Sequence, residues 1–313
     1  MKLPYVRALA AFAIIVILHV ESVWAQSLFV PLAILPFHGR PSINSDAAAD
    51  KEIAATVTEL LTIKMLASER VMLVERQEIE RILDELKLSR AGVVDPAEAT
   101  QVGRLTGAKL LISGSVVRIK DDLYLIAKVM GTETSRLIGA SVKGTANSKL
   151  EDLVEKLAAE LDNALSKKME SLLPKVESES DWVAKVKSTL KDRELPTVRV
   201  KMVSENGKLD LAAVTELNRL LKEVGFEILS GDHAPDLEIT GEAKSEFAYR
   251  RGDWVATRCR IDLQVQSPAD GKIRVSDSES FMVFDISEQT AGRDGIEGAV
   301  RRIVARLTPK LVP

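Results

Sequence analysis

The stretch Val71–Val117 constrains the fold more than any other part of the chain. Val71–Glu75 is short and apolar at its start, as a buried strand is. Ile79, Ile82, Leu83 and Leu86 then recur at helical spacing, predicting an amphipathic helix over Arg76–Leu88. Asp95-Pro96 marks a second helix start, because an Asp side chain and a Pro at the first helical position both suit the unpaired amides there. Gly107 ends that helix, being the residue that most easily adopts a left-handed cap. A long apolar run, Lys109–Ile119, returns as a strand.

The same reading extends to both sides. A strand at Phe29–Phe37 stops at Pro36 and a polar loop with Gly39 and Pro41, and a helix follows from about Asp46 with Ile53, Val57, Leu60 and Leu61 on one face. Strands Leu123–Met130 and Leu137–Gly144 come after the short turn Lys120-Asp121-Asp122. A long helix, Leu150–Leu172, closes the unit with Leu153, Val154, Leu157, Leu161 and Leu165 in register. The order is β-α-β-α-α-β-β-β-α.

Pro174–Pro196 is polar and rich in Ser, Glu and Lys, and reads as a linker with one or two weak amphipathic turns around Trp182, Val183, Val186 and Leu190. Beyond it the pattern recurs. A strand at Thr197–Val203, a helix at Leu211–Val224 and a short strand at Phe226–Leu229 precede three long strands, Asp236–Tyr249, Asp253–Ser267 and Lys272–Phe284. A last helix carries Ile296, Val300, Ile303, Val304 and Leu307. PDLEITGEA (Pro235–Ala243) stands where AKLLISGSV stands in the first half, which points to a duplicated unit that has lost its pair of capping helices. The expected fold class is α+β, with two αβ domains, each a mixed sheet packed by helices. The expected division is 1–25 targeting segment, 28–173 first domain, 174–196 linker and 197–313 second domain.

At the N-terminus, Lys2 and Arg7 precede the apolar run Ala8–Val20, which is short for a bilayer span, and Val23-Trp24-Ala25 offers small residues for cleavage. These features predict a signal peptide cut after Ala25. An uncleaved anchor is the competing reading, disfavoured by Glu21 and Ser22. The single cysteine, Cys259, lies far from that site, so neither a lipid anchor nor an intramolecular disulfide is expected. No later segment is apolar enough for a transmembrane helix. Basic and acidic residues number 43 and 46 and are mixed along the helices, which argues against a nucleic-acid partner.

Four features invite a chemical reading and none sustains it. In WVATRCRIDLQV, Cys259 alternates with Arg258 and Arg260, so the arginines face away from the thiol and cannot readily activate it. Gly231-Asp232-His233 with Asp236 sits in a Gly/Pro-punctuated turn without a nucleophile in a recognisable setting. Ser113 and Ser115 lie inside a strand and lack a nucleophile elbow. Gly103-Arg104-Leu105-Thr106-Gly107 is helix and cap rather than a phosphate loop. Neither His38 nor His233 belongs to a cluster with metal-ligand spacing. No catalytic, cofactor-binding or metal residue is assigned, no cofactor is expected, and the chain reads as non-enzymatic.

The strand LAILPF (Leu32–Phe37), the junction VERQ (Val74–Gln77), the register Ile79, Ile82, Leu83, Leu86 and the segment GAKLLISGS (Gly107–Ser115) together resemble the CsgG family of bacterial envelope proteins, which includes the curli-secretion channel. The resemblance covers roughly Phe29–Leu173. It implies sheets of the CsgG or TolB amino-terminal type and a role in envelope biogenesis. That role is assisting the secretion or assembly of a surface structure through contacts with envelope or outer-membrane proteins, in the periplasm or at the outer membrane. Members similar to LpoB regulate peptidoglycan synthases, FlgO-like members act at the outer membrane near flagella, and the curli-type member is an oligomeric channel. A regulatory role, a channel subunit and a homo-oligomer therefore stay open. The channel's membrane hairpins need crossing strands of about 9–11 residues, for which the turns Lys120–Asp122 and Gly131–Arg136 leave no room. The loop His38–Ser45 carries no aromatic plug residue. The strand faces bearing Glu238, Glu242, Glu246, Arg258, Arg260 and Asp262 suit water rather than lipid.

Overall fold

Two sheets, each flanked by helices, account for the alternating stretches of the sequence. The computed structural model describes residues 29–40, 47–87, 95–145, 147–175, 177–190, 193–202, 208–231 and 233–312. The expected targeting segment 1–25 lies outside them, as do Asp46, where a helix was expected to begin, most of the loop His38–Ser45, and Asp232.

The first half contains β1 (Val30–Ile34), β2 (His38–Arg40), α1 (Ala47–Met65), β3 (Val71–Leu73), α2 (Arg76–Glu85), α3 (Pro96–Thr106), β4 (Leu110–Ile119), β5 (Asp122–Gly131), β6 (Leu137–Thr145) and α4 (Leu150–Leu172). Its sheet runs β3-β1-β4-β5-β6, with β1 parallel to β3 and β4 and the last three strands antiparallel. The short β2, not expected from the sequence, also pairs with β4. Leu32 and Ile34 point into a core shared with α1 and α4, where Leu61, Leu125 and Leu157 are fully buried. Ala33 and Leu35 point the other way, into a smaller core with Ile82, Leu83 and Val102 of α2 and α3. Both faces of β1 are covered, which is why its sequence is apolar throughout rather than alternating. Gly114 on β4 is needed for close packing: a Cβ there would lie 2.1 Å from the Phe37 ring. The caps of α3 form as expected. Asp95 Oδ1 accepts from Glu98 N at 2.8 Å, Asp95 N donates to Glu98 Oε2 at 2.9 Å, and Gly107 closes the helix at φ 74°.

The second half contains α5 (Glu179–Leu190), β7 (Val198–Met202), α6 (Lys208–Val224), β8 (Leu237–Arg251), β9 (Trp254–Gln266), β10 (Ile273–Asp285) and α7 (Glu288–Leu311). The sheet order is β10-β9-β8-β7, with β7 parallel to β8 and the three long strands antiparallel. Phe226–Leu229 provides a single bridge, Ile228 to Val198, in place of a full strand, because Phe226 turns into the core. That bridge sits beside β7 as β3 sits beside β1, so the strands follow one connection pattern in both sheets.

The segment 174–196, expected as a linker, holds a regular helix. Trp182, Val186 and Leu190 recur every fourth residue on α5 and are buried against α6 and α7. Arg219 of α6 bonds to Glu179 at its start, and Arg301 stacks over Trp182 at 5.1 Å.

Candidate functional site at the seam between the sheets

Helices α6 and α7 cover one face of the second sheet. Part of the other face lies against α2 and α3 of the first half. The VERQ junction stands at this seam. Glu75 N donates to Tyr249 Oη at 3.4 Å, and Arg251 Nη1 donates to the Leu73 carbonyl at 2.7 Å while lying 3.9 Å from the Glu75 carboxylate. Arg258 forms an ion pair with Glu78, which also holds Arg81 at 2.6 Å. Burial raises the Glu78 carboxyl pKa, but the hydrogen bond from Arg81 and the charge of Arg258 outweigh it and leave it below the ordinary range. Phe284 packs beside Leu86 and Leu105 against the core of α2 and α3, and meets Tyr249 edge to face at 6.0 Å. Gly107 admits this approach, since a Cβ there would lie 2.6 Å from the Phe284 ring.

Around the edge of β10 the seam is charged. Glu279, its side chain 1 % exposed, lies 3.6 Å from Arg104 of the first half, 3.2 Å from Arg302 and 2.8 Å from Arg306. Arg306 also bonds Asp277 at 2.9 Å. Cationic side chains on three sides make this buried carboxylate tolerable.

Between these contacts lies a cavity of about 490 Å³. Val30, Pro31 and Met72 line it from the first half, and Trp254, Phe281 and Phe284 from the second. A neighbouring cavity of about 340 Å³ shares Gly107, Lys109, Phe281, Met282 and Arg302 with it. Apolar walls with a few polar groups are what a binding cleft requires. The arrangement offers a place for apolar side chains of a partner.

Of the residues weighed in the sequence, Arg104, Gly107 and Arg258 stand at the seam, whereas Cys259, Asp236, Ser113, Ser115 and His233 stay apart from its chemistry. Cys259 is fully buried on β9 facing α7, its Sγ 3.8 Å from the Ala291 carbonyl and 3.9 Å from that of Gly292. Burial pushes its thiol up to about 12, with Arg302 pulling weakly the other way. Its neighbours do face away, Arg258 to Glu78 and Arg260 to Asp262 at 2.7 Å. Asp236 accepts from the backbone N and the hydroxyl of Thr197, both at 2.8 Å, and so ties a strand start rather than orienting a base. Ser113 and Ser115 lie within β4, and the His233 carbonyl accepts from Arg199. Among the described residues no group of three or more His, Cys, Asp or Glu is placed to hold a metal ion, and no helix is long and apolar enough to cross a membrane.

Sequence reasoning did not find the seam. Its signals were a polar pair, Glu75-Arg76, directly after a buried strand, and the aromatic-basic hairpin tip Tyr249–Trp254.

Among curated proteins none matches the chain in sequence. Parts of the chain are similar to solved structures. The LpoB C-terminal domain from Salmonella enterica is 20 % identical over 40 % of this chain and 87 % of its own, with a TM-score of 0.31. A putative lipoprotein from Caulobacter crescentus is 16 % identical over 41 % and 97 %, with a TM-score of 0.29. A lipoprotein from Neisseria meningitidis is 13 % identical over 44 % and 99 %, with a TM-score of 0.29. Residues 36–122, from the end of the first strand region to the start of β5, match the family model described as curli production assembly/transport component CsgG, and over that stretch the resemblance to the CsgG family holds.

Proposed function

We propose that this chain is an exported, non-enzymatic accessory protein of the bacterial envelope. It acts through protein–protein contacts in the assembly or secretion of a surface structure, in the periplasm or at the outer membrane. The match of residues 36–122 to the CsgG family carries this reading. The apolar cleft at the seam supports it, because its walls suit a partner's side chains better than a reaction that needs converging acid and base. The turns on either side of β5 support contact rather than pore formation, as they are too short to carry membrane hairpins.

The test joins fractionation with capture. Wild-type protein is expected in the envelope fraction and to retain an envelope protein after mild crosslinking. Trp254→Ala, which removes one wall of the cleft, is expected to lose that retention at an unchanged melting temperature. Recovery of the chain in the cytoplasm alone, or equal retention by the folded variant, would overturn the proposal.

A further inference from the structure

Edge strands expose a row of unpaired N–H and C=O groups, and proteins cover or blunt them. Three of the four sheet edges here are occupied. Arg251 donates to the β3 carbonyl of Leu73, β10 lines the seam through Met282 and Phe284, and β7 is flanked through Val198 N to the Glu227 carbonyl at 2.9 Å and Leu229 N to the Val198 carbonyl at 2.8 Å. The fourth edge, β6, is different. Among the described residues it pairs with β5 alone, save at its end, where Thr145 N donates to Ser148 Oγ at 2.9 Å and the Thr145 carbonyl accepts from Ser148 N at 3.0 Å.

The hydrogen-bond phase of β6 follows from one bond. Gly131 N donates to the Arg136 carbonyl at 3.0 Å, so the backbone groups of Ile138, Ala140, Val142 and Gly144 face β5. Those of Leu137, Gly139, Ser141 and Lys143 face outward. The strand has nine residues, no proline and no register shift against β5. Its one charge, Lys143, is drawn back over β5, 2.8 Å from Asp122 and 5.6 Å from the Tyr124 ring centre. Apart from Lys143, none of the usual devices that repel another strand guards this edge.

We propose that β6 pairs with the β6 of a second copy of this chain, antiparallel, about a two-fold axis at Ser141. The sequence LIGASVKGT is complementary to itself in that register. Ile138 stands opposite Gly144 and Ala140 opposite Val142 on the face that α4 covers, so each larger side chain meets a smaller one. On the other face Leu137 meets Thr145 and Lys143 meets Gly139, and no like charges oppose each other. The two five-stranded paths join into one continuous sheet, an isologous interface. The surface lies away from the seam and its cleft, so it does not depend on the function proposed above.

Single cysteines read the register directly, because Cys259 is buried and silent. In the full-length chain, Ser141→Cys is expected to give a covalent dimer with a short bismaleimide, its two copies facing each other at roughly 5.5 Å between Cα atoms. Gly139→Cys and Lys143→Cys are each expected to give none alone, the like positions being about 13 Å apart, but to crosslink when mixed. In sedimentation, Ser141→Pro and Ser141→Lys are expected to weaken association roughly tenfold or more with unchanged thermal melting, since the Ser141 amide faces away from β5 and serves no bond among the described residues. A wild-type chain that is monomeric at every concentration overturns the proposal. So does a folded Ser141→Lys variant as dimeric as wild type, or Gly139→Cys alone crosslinking as readily as Ser141→Cys.

Discussion

Cys259 and Gly295 form one contact. A Cβ added at Gly295 would lie 2.5 Å from the Cys259 Sγ and 3.2 Å from a Val283 methyl, so glycine sets how closely α7 lies on β9. Gly295→Ala is expected to cost about 1–3 kcal/mol in denaturant unfolding, as overpacking of a closed core does. Cys259→Ala removes only the sulfur and is expected to cost about 1 kcal/mol and to relieve part of the Gly295→Ala penalty in the double variant. Strictly additive losses would show that the two residues do not share a packing site. Labelling the folded protein with a thiol reagent gives an independent check. The thiol is inaccessible and its pKa is raised to about 12, so reaction at neutral pH is expected only at the rate of opening. Rapid labelling would contradict this.

At the scale of elements, α3 is the piece whose boundaries the sequence states most openly. Asp95 and Glu98 exchange bonds across the first turn, and Asp95→Ala is expected to lower stability by about 1 kcal/mol. A circular-dichroism melt unchanged by Asp95→Ala would mean that neighbouring contacts hold the helix start instead. Legibility elsewhere followed the strength of local pattern. The strands β4, β5, β8, β9 and β10 alternate or run apolar for ten residues or more and were placed from sequence alone. Helix α5 reads as linker in the sequence because only Trp182, Val186 and Leu190 mark its buried face in a 12-residue stretch that is otherwise mostly polar and charged, where charge hides periodicity. The three-residue β2 is set by its pairing with β4, a long-range contact that no local signal announces. The seam was invisible for the same reason: Tyr249 reaches Glu75, and Arg258 reaches Glu78, across more than 170 residues of chain.

For the whole molecule, the question is how strongly the two halves depend on each other. Each has a core of its own, so a chain ending at Pro174 is expected to unfold cooperatively. It loses Phe284 from the side of α2 and α3, and is therefore expected to melt below the full-length protein. The Arg258–Glu78 pair makes this dependence sensitive to acid. The Glu78 carboxyl is held below its ordinary range in the folded chain, so its ionised form stabilises the fold above the unfolded carboxylate range. That contribution disappears as pH falls through the folded pKa. In the isolated first half Arg258 is absent, and the remaining partner, Arg81, belongs to the same helix, so less of the depression survives. Calorimetry of the full-length chain is expected to show one transition at neutral pH and a separation of the two halves as Glu78 is protonated. Arg258→Ala should bring that separation to neutral pH. If the variant instead melts as a single transition with the wild-type pH dependence, this ion pair does not couple the halves, and the packing of Phe284 against the core of α2 and α3 must hold the seam by itself.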